Sequence, residues 1–571
     1  MNANKVSTEM MELVRRQDDA ARGVLEAWRN ERRLGFRTRN QRVGIDRLAA
    51  LLPPYCHPGS AHYRNPEALL AMEEIADAFL ATQLESGCIT LVGCNIDSPP
   101  DTAFTAHLAA NLALLARRDA GAEAFRVTNA LLTFLERAQP CLLGGGIHTP
   151  NHRWVMASAL AKLEELFGGD AFRVRAFEWL REGLDITEYG EWTERSNAIY
   201  NPICAYHLYD VGRIFGYAPA FEAASRTLSM MRYLLHPGDT VATEYSGRQD
   251  FGQTAPLDDR YYVAYHLLAS HTGDPALAAM ARLTERASTK GPLALLHWML
   301  EPERMTLPAA EADAAPPDDY TMLFGGDRTV RVPDRVPYAG TKTGHPHGAS
   351  VLRRRRGKLS ITAMAGQPSF LYVQYGEARL FGLKLAVGWF GIGAASFPAI
   401  RRIEDELYRL EVELEGSYFQ PLPPEAVASA YGRYVDLPNG ERERSNRLTL
   451  RLAADIRLLD DGVELRVRSE ELPDIQLQAV CLFDASGSLD GEALERKGAA
   501  ARLLRGAAEY RLGADRIVVE GGAFEHEEWS LRNDPAHSDA LTLVVNWTTP
   551  ADRALRIRCF SAEEDEAGGG R

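Results

Sequence analysis

The spacing of apolar residues changes once along this chain, and the change divides it in two. Up to about His297 they recur with a helical period: in VMASALAKLEELF, Val155, Ala159, Leu160, Leu163, Leu166 and Phe167 share one face, with Lys162, Glu164 and Glu165 opposite. Similar segments follow one another, joined by loops rich in Gly, Pro and Asp, with no strand pattern between them and no solenoid repeat. This predicts stacked or toroidal antiparallel helical hairpins over residues 1–306. The stretch LPAAEADAAPPDD, residues 307–319, reads as a linker. From 320 to 562 the period is two. Leu448, Leu450 and Leu452 alternate with polar residues, Asp461-Gly462 supplies a hairpin turn, and Val463, Leu465 and Val467 alternate again. Further alternation in KLSITAMAG, DRIVVEGG, LTLVVNW and LRIRCF makes this part an antiparallel β-sandwich, and residues 563–571 read as a disordered tail. The fold class is multidomain, all-α and then all-β.

Composition excludes several functions. The 571 residues are 46% hydrophobic and 25% charged, an ordinary globular balance, and the formal charge of −14 argues against a nucleic-acid or membrane-surface binder. The N-terminus lacks the apolar core of a signal peptide and no run is long enough to span a bilayer, so the chain reads as soluble and cytoplasmic. Seven scattered cysteines without a CxxC pair indicate neither a disulfide framework nor a zinc site, and Cys88 and Cys94 read as buried thiols. The run Arg353 to Arg356 reads as a solvated face. A homo-oligomer stays open.

Three polar loops interrupt the helical part. In GGGIHTPNHRW, His148, Asn151, His152 and Arg153 surround the start of a helix, more polar groups than capping by Asn151 requires. In DITEYGEWTERSNAIYNP, Glu188, Glu194, Arg195, Ser196, Asn197, Tyr200 and Asn201 gather at the next helix opening, with Tyr206 and Tyr209 beyond. In TEYSGRQDFGQ, Glu244, Tyr245, Arg248, Gln249 and Asp250 occupy a similar position. Three such loops at one end of successive hairpins describe a ligand cleft.

The Asn-His pair opening a helix, a Tyr about fifty residues later and a helical domain preceding a β-sandwich resemble the heparinase II/III-like, alginate-lyase-like polysaccharide lyases of (α/α)-toroid fold. The resemblance implies that Asn151 and His152 neutralise a uronate carboxylate. It makes Tyr200, or else Tyr206, the tyrosine that serves as base or acid. A partner histidine would come from TKTGHPHGASVL, where His347-Gly348 replaces the Asp-Gly common in the family and leaves His345 and His347 both open. The implied substrate is an acidic oligosaccharide or polysaccharide, with His148, Arg153, Arg195, Tyr206, Arg248 and Gln249 as further binding groups and no metal or cofactor.

Such an elimination removes a weakly acidic proton α to a carboxylate, and the charge that develops must be stabilised in place. A tyrosine of ordinary acidity is a poor base at neutral pH unless a cation assists it; Arg153, Arg195 and Arg248 are candidates. Protonated, the same tyrosine donates to the leaving O4 while a histidine takes the C5 proton. Two other readings compete. A toroid-type glycoside hydrolase would draw a carboxylate pair from Asp97, Asp101, Glu188, Glu194, Glu244 and Asp250, and a glycan-binding protein would break no bond.

Overall fold

Thirteen helices follow one another through the first half of the described chain: α1 (Ala3–Leu34), α2 (Gln41–Cys56), α3 (Pro66–Ala81), α4 (Pro99–Asp119), α5 (Phe125–Gly144), α6 (His152–Phe167), α7 (Asp170–Leu180), α8 (Tyr200–Phe215), α9 (Ala218–Met231), α10 (Asp259–Thr272), α11 (Pro275–Ala287), α12 (Pro292–Leu300) and α13 (Pro302–Met305). The structure, a computed structural model, describes residues 3–35, 40–288, 291–308, 315–326, 349–427, 433–470, 472–534 and 539–562. Successive helices pack as hairpins, α4 on α5, α6 on α7, α8 on α9 and α10 on α11. Within these pairs α2, α4, α6, α8, α10 and α12 each touch the next, and α12 returns to α2, which closes an inner ring. None of the described helices is long and apolar enough to cross a membrane.

A helix inside such a ring has neighbours on every side and must be apolar or internally paired all round. His152 to Leu163 of α6 and Asn201 to Gly212 of α8 are buried without a break. Lys162 corrects the helical-wheel reading: it is buried, with its Nζ 3.2 Å from both an Asp210 oxygen and a Glu165 oxygen. A wheel assumes one solvent face, and α6 has none at that level.

The strands from Asp319 onward belong to a second compact unit. They form one sheet of eight strands and one of ten, antiparallel in every ladder except that between Ala500–Leu503 and Ala540–Thr548. The expected hairpin joins Arg444–Leu459 to Gly462–Ser469. Leu459 stands opposite Gly462, so the turn is Asp460-Asp461 and Gly462 opens the second strand. A Cβ at Gly462 would lie 2.0 Å from the Ile557 carbonyl oxygen, and that close approach explains the glycine. Leu450, Leu452, Val463, Leu465 and Val467 enter one core with Leu383, Leu385 and Val545 of the other sheet, making a β-sandwich. Arg353 departs from the solvated face expected of its run. It is buried and donates to Thr362 and, at 3.1 Å, to Ser360 on the neighbouring strand.

The cysteine reading is also corrected. Cys88 and Cys141, 53 residues apart, form a disulfide with a Cα separation of 5.6 Å, and Cys94 is an exposed thiol. A bridge across so long a loop leaves no local spacing to read. By loop entropy it contributes about 4 kcal/mol. The Cys88→Ser/Cys141→Ser double variant is expected to lose stability on that scale, measured by denaturant unfolding of the helical signal; an unchanged midpoint would show that the bridge constrains little.

Candidate active site

The inner ring brings several helix N-termini to one end. Arg42 lies in the first turn of α2, Asp101 in the first turn of α4 and Phe104 just beyond it, while His152 and Tyr200 are the first residues of α6 and α8. Each such terminus carries the positive end of a helix dipole, a setting that favours an anion. The loop before α6 approaches α4 closely: a Cβ on Gly145 would lie 2.4 Å from Pro99 Cβ. Close packing at Gly145, rather than a left-handed backbone, explains the glycine there.

Asn151 holds the cap position of α6 but makes no side-chain capping bond. Its Nδ2 donates to Glu194 Oε1 at 2.7 Å and to Thr149 Oγ1 at 3.1 Å, and its backbone N–H donates to the same Glu194 oxygen at 3.0 Å. Asn151 Oδ1 is buried without a partner. Glu194 is the hub of the site, since its Oε2 also accepts from Arg248 Nη1 at 2.9 Å. Burial raises the Glu194 pKa, opposed by Arg248 and by the bonds from Asn151.

The second and third loops are stitched together beneath this hub. Asp250 accepts from Ser196 Oγ (2.8 Å), Ser246 Oγ (2.9 Å) and the Ala198 N–H (3.0 Å). Arg195 has a left-handed backbone, φ 45°, which lets its carbonyl accept from Gly247 N–H at 2.6 Å. These bonds fix Arg248 and Gln249 over Tyr200. The Tyr200 Oη accepts from Gln249 Nε2 at 3.0 Å and from Arg248 Nη2 at 3.2 Å, with the guanidinium 4.5 Å above its ring. Burial pushes the Tyr200 phenol above its usual pKa, and Arg248 and Gln249 pull the other way without reversing the sign.

His152 is buried, with its ring 4.8 Å from that of His148 and 6.1 Å from that of Phe104. Burial, and then the nearby His148, Arg248 and Arg42, push it down to a pKa of about 3, so its imidazole is neutral at ordinary pH. Burial lowers His148 as well. Arg42 donates to Asp101 at 2.8 Å and lies 4.8 Å from the Phe104 ring. Asp101 also accepts from Asn95 Nδ2 at 2.8 Å and Ser98 Oγ at 2.7 Å, while Ser98 is the residue that caps α4.

The structure thus brings together Asn151, His148, His152, Tyr200, Arg248 and Gln249. It places three other candidates elsewhere. Arg153 is buried against Asp185 (2.5 Å) and the Gly183 carbonyl (3.2 Å), where it braces the second loop. Arg195 joins the loops through its backbone. Tyr206 is buried deeper in the ring, its hydroxyl 2.8 Å from His297 Nε2. His345 and His347 lie outside the described residues. The sequence reading missed Arg42 altogether and gave Glu194 a place in the polar cleft and, in the competing reading, a hydrolase role, but not that of a partner to Asn151 and Arg248. An arginine early in a helix carries no mark of its partner, whereas Glu194 stood in a polar loop and was open to the better reading.

At the level of sequence, no family model matches the chain and no curated protein does. Solved structures do match. The chondroitin AC lyase of Streptomyces coelicolor A3, solved with chondroitin sulphate, gives a TM-score of 0.51 at 13% identity over 95% of this chain and 79% of that one. A xanthan lyase of Paenibacillus gives 0.53 at 8% identity over 98% of this chain and 58% of that one. A heparan sulfate lyase of Pedobacter heparinus gives 0.46 at 9% identity over 91% of this chain and 76% of that one. This is a likeness of fold: a helical toroid followed by a β-sandwich, as in the first two lyases.

Proposed function

We propose that this protein is a polysaccharide lyase that cleaves uronate-containing oligosaccharides by β-elimination. The observation that carries the reading is one run of hydrogen bonds, Asn151 to Glu194 to Arg248 to Tyr200, at the end of the ring where the α6 and α8 N-termini meet. Arg248 and those termini supply the positive field that a uronate carboxylate needs. Neutral His152 and the Asn151 amide flank the same place, although both Asn151 amide hydrogens are engaged until a substrate carboxylate competes with Glu194 for them.

The direction of the Tyr200 shift supports the acid role over the base. A phenol kept protonated at neutral pH is a proton donor, so Tyr200 protonates O4 as the C4–O4 bond breaks and the C4–C5 double bond forms. The C5 proton goes to a base, for which the resemblance offers His345 and His347. The hydrolase reading is weaker on this geometry. It needs two carboxyl groups facing the sugar. Of the six candidates, Asp97 accepts from Ser86 at 2.5 Å, and Asp101, Glu194 and Asp250 are each held by several donors, which leaves Glu188 and Glu244 as the pair that reading would need.

The test is to incubate the protein with oligosaccharides of alginate, glucuronan, hyaluronan, chondroitin, heparosan and pectin, following ultraviolet absorbance and product mass. A new absorbance with no water added to the products is the expected result. Cleavage with water added and no absorbance would replace the lyase reading by the hydrolase one. On the substrate that reacts, kcat/KM is expected to stay flat from about pH 7 to about pH 9, because the donor phenol keeps its proton there. A rate that climbs about tenfold per pH unit would instead make the Tyr200 phenolate the base.

A further inference from the structure

The helical unit holds a second cluster that shares no residue with the Tyr200 site. His266 of α10 is fully buried. Its Nδ1 lies 2.7 Å from the carbonyl oxygen of Tyr262, which only accepts hydrogen bonds, so Nδ1 is the donor there and Nε2 is the nitrogen left to meet a ligand. That Nε2 has no hydrogen-bond partner. It faces Glu285 Oε1 of α11 at 3.9 Å and the carboxylate of Glu9 of α1, and the three ligand atoms lie within 4.8 Å of one another. One imidazole nitrogen and two carboxylate oxygens thus border a common space.

We propose that His266, Glu9 and Glu285 bind one divalent metal ion of the zinc class. Two donors 3.9 Å apart stand a few tenths of an ångström wider than a tetrahedral zinc with bonds of about 2.0–2.2 Å holds its ligands, and the half-buried glutamates have the freedom to close in. An imidazole in the set favours zinc or a neighbouring transition ion over calcium or magnesium, which take oxygen ligands. The outer groups are those of a metal site as well. Tyr262 orients His266 through its carbonyl and Glu9 through its hydroxyl, which donates at 2.8 Å and itself accepts from Trp298 Nε1 at 2.9 Å. Such an ion ties the first helix of the chain to the hairpin of α10 and α11. Its place is structural, and the elimination proposed above does not pass through it.

The test uses the full chain without a histidine tag, stripped by a chelator and equilibrated with zinc, manganese, calcium or magnesium chloride, with bound metal read by elemental analysis. The expected result is one zinc per chain, weaker manganese and no calcium or magnesium, with a rise in melting temperature on zinc loading. Because His266 is buried and its loss threatens the fold, the variants are Glu9→Gln and Glu285→Gln; each is expected to weaken zinc binding at least about tenfold, and the double variant to lose the thermal shift. Zinc retained equally by the double variant would place the ion elsewhere. No zinc retained by the parent, with His266 found doubly protonated by nuclear magnetic resonance, would make the cluster an ion pair and overturn the proposal.

Discussion

Replacing Tyr200 with Phe is expected to lower kcat/KM for uronate elimination about a thousandfold, in the middle of the range for losing a positioned general acid. The substitution removes one oxygen. The ring stays beneath the Arg248 guanidinium, 4.5 Å away, so the aromatic contact that holds Arg248 in place survives. The bond from Arg248 to Glu194 and the bonds that hold the third loop through Asp250 do not involve the phenol at all. Unfolding midpoint and KM are therefore expected to change little while kcat falls, the pattern of an interaction made in the transition state. Gln249→Ala, which deletes one donor to the phenol and leaves Arg248, is expected to give a smaller loss. Activity of Tyr200→Phe within about threefold of the parent would remove Tyr200 from the chemistry and leave the hydrogen-bonded run as scaffolding.

What could be read from the residues, and what could not, follows the range of the forces involved. The helical and strand periods are local, and they placed helices before strands. The polar loops were legible because Asn151, Tyr200, Arg248 and Gln249 are unusual neighbours for glycines and helix starts, and the ring then joined them. Lys162 and Arg353 were placed in solvent because a charge in a single sequence is by default a solvated one. Their partners, Asp210 on α8 and Thr362 on the neighbouring strand, are set by helix packing and strand register. The same blindness hid the Cys88–Cys141 bridge. Tyr206 shows the converse case. Six residues after Tyr200 on α8, it has the composition of a site residue, yet its hydroxyl is buried against His297 and Asn111.

The polar core around Tyr206 carries the second large effect, this one on stability. Asp210 is 1% exposed and accepts from His107 Nε2 at 2.8 Å and Arg213 Nη2 at 2.8 Å, with Lys162 Nζ at 3.2 Å. Burial alone would raise its pKa, but Lys162, His107 and Arg213 outweigh burial and hold the carboxyl well below its ordinary value. Asp210→Asn leaves Lys162 buried with Glu165 as its remaining carboxylate and His107 without its anion. Breaking one side of a buried ion cluster costs about 3–5 kcal/mol, and that loss is expected in denaturant unfolding followed by the helical circular-dichroism signal. The control is Glu165→Gln, whose side chain is 26% exposed and whose loss water partly offsets; it is expected to cost about 1 kcal/mol or less. The sign with pH is set by the depressed pKa. Stability from Asp210 is fully present above the unfolded carboxyl value of about 3.9 and is lost as pH falls toward the lower folded value. The gap between parent and Asp210→Asn is therefore expected to be constant from neutral pH down to about pH 5 and to narrow only below about pH 4. A gap that widens as pH falls through the range of a free imidazole would assign part of the stabilisation to protonated His107 beside Asp210.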